Sequence, residues 1–302
     1  MHRSKISIIF GAGGQDGYFL TVELIKLNHK IILVSNSKVN LKNKKIEDNK
    51  NTKIIKGNYL SEKFYINLIR KYKPDNLFFF YGITDPKVSF QRAKEFLNVN
   101  IISFSCLLRA CSLCKFKKKI IYANSSEIFS NNKNLIDEKT KMRPNSIYGI
   151  SKFYNSYLIK YYTQVYNLKI LNIIFFNHDS KLRKKKYLTK QIVNQLLLQK
   201  NAKIKKIHIL NKLTIRSWGN AEEYMRALVK LVNKNVLGDF IFSNSNIMSV
   251  EDLTYKIGKE LNIEKRSIKV ISEKLYADTK IPNNRKLLKN IGVNFFSRKI
   301  LK

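Results

Sequence analysis

Short apolar runs rich in β-branched and aromatic residues alternate with longer segments of helical periodicity from residue 5 to about residue 175. That alternation is the pattern of strand–helix–strand units and hence of a parallel sheet. It predicts strands at Lys5 to Phe10, Lys30 to Val34, Thr52 to Ile55, Asn76 to Tyr81, Lys118 to Ala123 and Lys169 to Phe175, with helices between them. Ser35 to Asn51, dense in Asn and Lys, is the longest polar stretch and reads as a solvated loop after the second strand. Beyond residue 180 the pattern loosens into helices and short strands expected to cap the sheet. After Lys286 to Ile291 the tail NFFSRKILK has little room for another full helix. No segment repeats, and the polar runs are too short to be disordered domains.

Composition narrows the class. A chain of 302 residues can hold a large sheet domain plus a smaller one, because single cores stop growing near ~250 to 300 residues. Hydrophobic residues make up 44% of it, ample for a packed core, yet no apolar run approaches the ~20 residues that span a bilayer. A soluble cytoplasmic protein with no membrane partner is expected. The opening MHRSKISIIFGAGG runs from an apolar stretch directly into glycines, which predicts a strand and not an export signal. Cys106, Cys111 and Cys114 are too few for a disulfide framework. The C-x-x-C they include sits in a leucine-rich helical stretch with no second ligand pair, so buried or half-buried thiols and no metal site are expected. The net charge of +37 would suit a polyanion. The lysines are scattered through every segment, however, and heavy use of Lys, Asn and Ile together is what A+T-rich codons supply. No specific nucleic-acid partner is expected, although the positive field favours a pyrophosphate-bearing substrate.

Three motifs carry chemistry. GAGGQDG, Gly11 to Gly17, follows the first strand and opens a helix. Glycines there let the backbone turn tightly and approach a pyrophosphate, which the N–H groups and dipole of the helix start favour. A plain turn would also use glycine, but the placement favours the phosphate reading. It makes the sheet an α/β Rossmann-type, doubly wound parallel sheet over residues 1–175, with residues 176–302 mainly a smaller α/β part that binds substrate. In YGISK, Tyr148 and Lys152 stand i,i+4 on one helical face. A phenol that titrates near ~10 needs a cationic neighbour to act as a base at neutral pH. SSE, at Ser125, Ser126 and Glu127, ends the strand before that helix, where doubly wound sheets bind ligands. Ser125 can hydrogen-bond a sugar hydroxyl while Tyr148 takes its proton. Glu127 adds a second acid/base suited to proton abstraction from carbon or to water elimination. A capping or salt-bridged carboxylate is the other reading of Glu127, and a solvent-facing pair that of Tyr148 and Lys152.

These residues carry a resemblance to the GDP-mannose 4,6-dehydratase family of extended short-chain dehydrogenase/reductases. GAGGQDGYFL resembles that family's glycine loop, YANSSEIFS its Thr-Ser-Glu segment and PNSIYGISKFYNSYLIKYY its Tyr-Lys helix. FFNHDS resembles its Phe-Asn-His-Glu-Ser segment and RSWGNAEEYMRAL its Arg-Asp-Trp-Gly segment, so the likeness spans about residues 5 to 292. The resemblance implies that Ser125 takes the catalytic Thr position, Glu127 the base, and Tyr148 and Lys152 the redox pair. It implies NADP held by Gly11, Gly14, Gln15, Asp16, Gly17, Asn58, Tyr148 and Lys152. A nucleotide sugar would lie against Asn177, Arg183, Thr189, Lys190 and Arg216. The implied reaction has three steps: Tyr148 deprotonates the C4 hydroxyl as hydride passes to NADP, Glu127 removes the C5 proton while water leaves C6, and hydride returns to C6. A homo-oligomer, dimer or tetramer, and a role in deoxysugar or GDP-fucose biosynthesis are further expectations.

The chain also departs from the family. Ser35, Asn36, Ser37 and Lys38 stand where the family has basic residues for the ribose 2′-phosphate, and no acid for a free 2′-hydroxyl is present, so NAD stays open. Asn58 replaces an Asp but can still accept from an adenine amino group. Asp85 replaces a His and Ser217 the Asp of Arg-Asp-Trp. His178 reads as a satisfied structural histidine, and Arg216 with Trp218 could be a packed pair. Two alternatives remain: another nucleotide-sugar reductase or epimerase using Tyr148 and Lys152, and a nucleotide-binding homologue that has lost catalysis.

Overall fold

The computed structural model describes residues 3–35, 46, 49–84, 91–130, 132–274, 278–292 and 296. In chain order the elements that build and flank the main sheet begin with β1 (Ile6–Phe10), α1 (Gln15–Lys26), β2 (Lys30–Ser35), β3 (Thr52–Lys56), α2 (Glu62–Tyr72) and β4 (Asn76–Phe79). Next come α3 (Ala93–Leu113), β5 (Lys119–Ser125), β6 (Asn132–Ile136), α4 (Ile147–Tyr166) and β7 (Lys169–Phe175). The remainder holds β8 (His178–Asp179), α5 (Leu188–Lys200), β9 (Ile207–Asn211), β10 (Ile215–Ser217), β11 (Gly219–Asn220), α6 (Ala221–Val232), β12 (Gly238–Phe242), β13 (Ile247–Ser249), α7 (Val250–Glu260), β14 (Val270–Lys274), β15 (Lys280–Pro282) and α8 (Arg285–Ile291).

Seven strands form one parallel sheet in the order β12-β7-β5-β4-β1-β2-β3. All six strands expected from the sequence are in it. The fourth stops at Phe79, not Tyr81, because its partner β1 ends at Phe10: the last ladder bond runs from Phe80 N to the Phe10 carbonyl at 2.9 Å, after which Gly11 turns the chain close against the Phe80–Tyr81 backbone. The central strands are buried on both faces, as a parallel sheet covered by crossover helices requires. Ile9, Leu33, Phe78, Ile121 and Leu171 face one way, in a cluster with Leu20 and Leu24 of α1 and Tyr224, Leu228 and Leu231 of α6. Their neighbours Ile8, Phe10, Ile32, Leu77, Phe79, Ile120 and Ile170 face the other way, packing with Tyr65 and Leu68 of α2, Phe104 and Leu107 of α3 and Ile159 of α4.

The sequence left β12 unassigned. It comes from beyond residue 176 yet pairs with β7 in register from Gly238 opposite Leu171 to Phe242 opposite Phe175. The chain past 176 thus serves both the sheet and the smaller part, whose core joins Ile192 and Leu196 of α5 to Leu253 and Ile257 of α7, Ile207 and Trp218. The continuous helix Ala93–Leu113 is long and apolar enough to cross a bilayer by length and composition. Lys94, Glu95 and Arg109 punctuate it, so it is not a continuous apolar run in the sequence. Its Phe104, Leu107, Leu108 and Ala110 are fully buried against the sheet, so it is a core helix. A wide π turn, Asn98–Ile102, lies within it.

Cys106 and Cys111 are buried free thiols and Cys114 is half-buried, as expected. Of the polar stretch Ser35 to Asn51, Ser35 closes β2 and Ile46 is buried in the α1 face of the core, an apolar anchor inside the presumed solvated loop. Asn36, Ser37, Lys38 and Asp85 lie outside the described residues.

Candidate active site

The strand order reverses between β1 and β4, the point at which doubly wound sheets bind ligands beyond their carboxyl ends. Gly11 turns the chain there with φ +82°, a conformation that any Cβ would strain, and it sits against the Phe80–Tyr81 backbone. Gly14 caps α1 with no side-chain hydrogen bond, and Gly17 is buried within its first turn. A tight glycine turn leading into a helix start without a capping side chain fits a dinucleotide pyrophosphate.

Gln15 and Asp16, expected at the cofactor, have their side chains engaged elsewhere. Ser180 Oγ donates to Gln15 Oε1 at 2.8 Å, and Gln15 Nε2 reaches the His178 carbonyl at 3.4 Å. Asp16 Oδ1 lies 3.0 Å from His178 Nε2, while His178 Nδ1 lies 2.9 Å from the Phe176 carbonyl. A carbonyl and a carboxylate can only accept, so both ring nitrogens carry hydrogen and the ring is an imidazolium. Burial pushes His178 down, but the Asp16 charge and the two hydrogen bonds outweigh it and its pKa is raised. Burial likewise pushes Asp16 up, and the imidazolium more than offsets it, so its pKa is lowered. His178 is thus the satisfied structural histidine the sequence suggested, and it ties the glycine loop to β8.

Asn58 is exposed on the wall of a cleft of about 570 Å³ that Tyr59 and Tyr81 also line. The two tyrosine rings stack with centroids 3.5 Å apart, and the Tyr59 hydroxyl donates to the Val34 carbonyl at 2.8 Å and accepts from Gly11 N at 3.3 Å. Neither tyrosine stood out in the sequence, since aromatic residues at strand ends usually serve the core.

At the end of β5, Ser125 Oγ accepts from Glu127 N at 3.2 Å and starts a single helical turn, Ser126–Ile128. Ser146 caps α4 by accepting from Gly149 N at 3.0 Å. A Cβ on Gly149 would lie 2.2 Å from the Glu127 carbonyl oxygen, so only glycine lets α4 close on this turn. That approach brings the Tyr148 hydroxyl into hydrogen bonding with Ser125. Burial pushes the Tyr148 phenol well up, opposed by the Ser125 hydrogen bond and the Arg183 charge. Lys152 Nζ donates to the Ala123 carbonyl at 2.6 Å and lies 5.8 Å from the Tyr148 ring centre. Burial lowers its pKa to about 7. In the π turn, Asn100 bonds both backbone groups of Ile83, and its carbonyl accepts from Asn155 of α4. Asn100 thereby fixes the loop after β4 against the Lys152 helix, a role with no motif to announce it.

Glu127 proves to be salt-bridged as well as placed at the site: Lys280 Nζ lies 3.0 Å from its Oε1.

The residues expected at the nucleotide sugar separate into two groups. Arg183 stacks 3.8 Å over the Tyr187 ring, lies 3.5 Å from Asp179 and acts electrostatically on Tyr148 and Asp16. Asn177 is half-buried at the turn into β8, its carbonyl accepting from Gly219 N at 2.8 Å, and Lys190 is half-buried on α5. Thr189 and Arg216 have their side chains bonded within the protein. Thr189 is buried and donates its hydroxyl to Asp179. Arg216 is buried and held by Asp278 at 2.5 Å and by the Ile215 and Asp278 carbonyls at 2.8 Å. Trp218 packs in the α5–α7 core, not on Arg216. Among the described residues no group of His, Cys, Asp and Glu is arranged to hold a metal.

Against known proteins, the family model for GDP-mannose 4,6 dehydratase matches residues 8–294. GDP-mannose 4,6 dehydratase of Homo sapiens is 25% identical over 273 residues, 85% of this chain and 73% of that protein. The GDP-mannose 4,6-dehydratase of Vibrio cholerae is 23% identical over 274 residues, 86% and 73% respectively. In structure, the dTDP-glucose 4,6-dehydratase of Bacillus anthracis in complex with NAD superposes with a TM-score of 0.82 at 18% identity, over 95% of this chain and 90% of that one. A UDP-N-acetylglucosamine 4-epimerase from Methanobrevibacter ruminantium gives 0.83 at 18% identity, over 97% and 93%. With the fold shared by such dehydratases and epimerases and the family match running over nearly its whole length, the chain belongs to the GDP-mannose 4,6-dehydratase family.

Proposed function

We propose that the protein is a hydro-lyase that converts GDP-mannose to GDP-4-keto-6-deoxymannose. The observation that carries this reading is the assembly of Ser125, Glu127, Tyr148 and Lys152 at the end of β5, where Gly149 lets α4 meet the Glu127 turn. When bound, a nicotinamide dinucleotide would provide the hydride acceptor for C4 and the hydride donor for C6, C5 then regaining one proton in balance with the proton Tyr148 takes from the C4 hydroxyl; Gly11, Gly14 and Gly17 would hold its pyrophosphate and Asn58 its adenine. Ser125 aligns the C4 hydroxyl while Tyr148 takes its proton, helped by the Arg183 charge that opposes burial. Glu127 then takes the C5 proton, acidic beside the C4 ketone. The C5–H electrons become the C5–C6 double bond, the C6–O bond breaks, and hydroxide leaves with the proton as water. Arg183, Asn177 and Lys190 are the groups of the substrate side.

NADP is the proposed dinucleotide, with NAD the alternative, since Ser35 ends β2 and supplies neither an acid nor a cation. Cytoplasmic residence, with products destined for deoxysugar or GDP-fucose biosynthesis, and a homo-oligomeric state complete the reading. A nucleotide-sugar reductase or epimerase needs only Tyr148 and Lys152, and the salt bridge on Glu127 favours it as the second reading. Incubating the protein with GDP-mannose and NADP and following the sugar nucleotide by mass spectrometry decides between them. Loss of one water is expected, falling roughly 100-fold or more in Glu127→Gln and in Tyr148→Phe. Unchanged GDP-mannose, or turnover that survives Glu127→Gln, overturns the proposal.

A further inference from the structure

We propose that Lys280 is a positioning residue for Glu127, holding one oxygen of its carboxylate so that the other faces the C5 proton during water elimination. This rests on the dehydratase reading. The Lys280 side chain is 1% exposed while that of Glu127 is 34% exposed, and Nζ stands 3.0 Å from Oε1. A buried ammonium needs a counter-charge, and a carboxylate one-third exposed needs an anchor; each meets the other's requirement. Lys280 is delivered by β15, which runs parallel to β6 in the segment following the Glu127 turn, with a register shift immediately after Lys280. Thr279, its neighbour, bridges to Ile215 of β10. Three segments far apart in sequence therefore converge to set this one ion pair. The other charges facing Lys280 are Arg216, which repels it, and Asp278, which is tied to Arg216.

Nothing is gained or lost by Lys280 in the reaction. The C5 proton goes to Glu127 and leaves with the C6 hydroxyl as water. Burial pushes Lys280 down and Glu127 pulls it up, with a net lowering, so its charge is lost at a lower pH than that of a surface lysine.

The test compares Lys280→Met and Lys280→Arg with the unaltered protein on GDP-mannose carrying protium or deuterium at C5. In Lys280→Met, kcat should fall roughly 10- to 100-fold with little change in KM, as a misplaced base requires, and the C5 isotope effect should rise. In the unaltered protein the isotope effect should grow as pH rises through Lys280 deprotonation, whereas in Lys280→Arg it should stay flat because the guanidinium keeps its charge. Should Lys280→Met fail to fold, the Arg variant decides alone: an isotope effect with the same pH dependence as the unaltered protein overturns the proposal. So does a Lys280→Met protein with unchanged kcat and isotope effect. If the unaltered protein removes no water, the dehydratase reading falls and this role with it.

Discussion

Asp16 and His178 illustrate how far a residue's role depends on what it touches. The glycine motif suggests Asp16 as a cofactor ligand, yet its carboxylate holds an imidazolium 162 positions away in the chain. Hydrogen bonds to charged groups contribute about 1.5 to 3 kcal/mol, so Asp16→Asn should lower stability by roughly that amount. The pH dependence follows from the directions of the shifts. His178 is raised above 6.5, so its contribution is complete below pH 6.5 and is lost as pH climbs through the raised value. Asp16 is lowered below 3.8, so its contribution is present above pH 3.8 and is lost as pH falls through the lowered value. Denaturant titrations should find the gap between Asp16→Asn and the unaltered protein widest near pH 5 and narrowing toward pH 9; a gap that widens with pH would refute the ion pair. Ser125, Glu127, Tyr148 and Lys152 were legible because their spacing is local: a strand end and one helical turn place them. Lys280 was not, because in a chain with 58 Lys and Arg one more lysine carries no signal until its burial is known.

Among the elements, α4 does most to build the site, and its first turn depends on Gly149. With the Glu127 carbonyl 2.2 Å from the would-be Cβ, Gly149→Ala must push the helix away from the Ser126–Ile128 turn. Overpacking of this kind costs about 1 to 3 kcal/mol, and a shift near 1 Å in a catalytic group can cost about 100-fold in rate. The variant should therefore keep its far-ultraviolet circular dichroism while losing kcat about 100-fold; full activity would mean that the close approach is not needed. The strands were predictable because parallel strands buried on both faces are short apolar runs bounded by polar turns. β12 escaped notice although GDFIF is such a run, because the loosened pattern around it suggested a separate unit. Its place beside β7 comes from pairing over a long crossover, which no local pattern encodes.

For the whole molecule, two surface features remain to be accounted for: its charge and one apolar stripe. On α4, Ile147, Ile150, Tyr154, Tyr157, Tyr161 and Val165 recur every three or four residues and are exposed, up to 58% at Tyr157. A stripe that follows one face of a 20-residue helix is larger than scattered surface hydrophobics and suits a second copy of the chain. Sedimentation should find a dimer or tetramer, and Tyr157→Glu with Tyr161→Glu should yield monomers that remain folded. A monomeric unaltered protein would refute the oligomeric reading. The net charge of +37 predicts retention on a polyanion column that is lost steeply with salt. Sequence-selective binding is not expected from lysines spread over every segment.

The sequence by itself determined the parallel sheet, the glycine turn at its switch point and the serine, glutamate, tyrosine and lysine that meet beside it. All of these are written in short-range periodicity and spacing, which the backbone geometry of strands and helices converts directly into position. Only the tertiary structure decided what each charged group pairs with: Asp16 with His178, Arg216 with Asp278, Thr189 with Asp179 and Glu127 with Lys280. Such pairs join segments brought together by packing, and burial makes them obligatory, since an unpaired charge in a low-dielectric interior is too costly to persist.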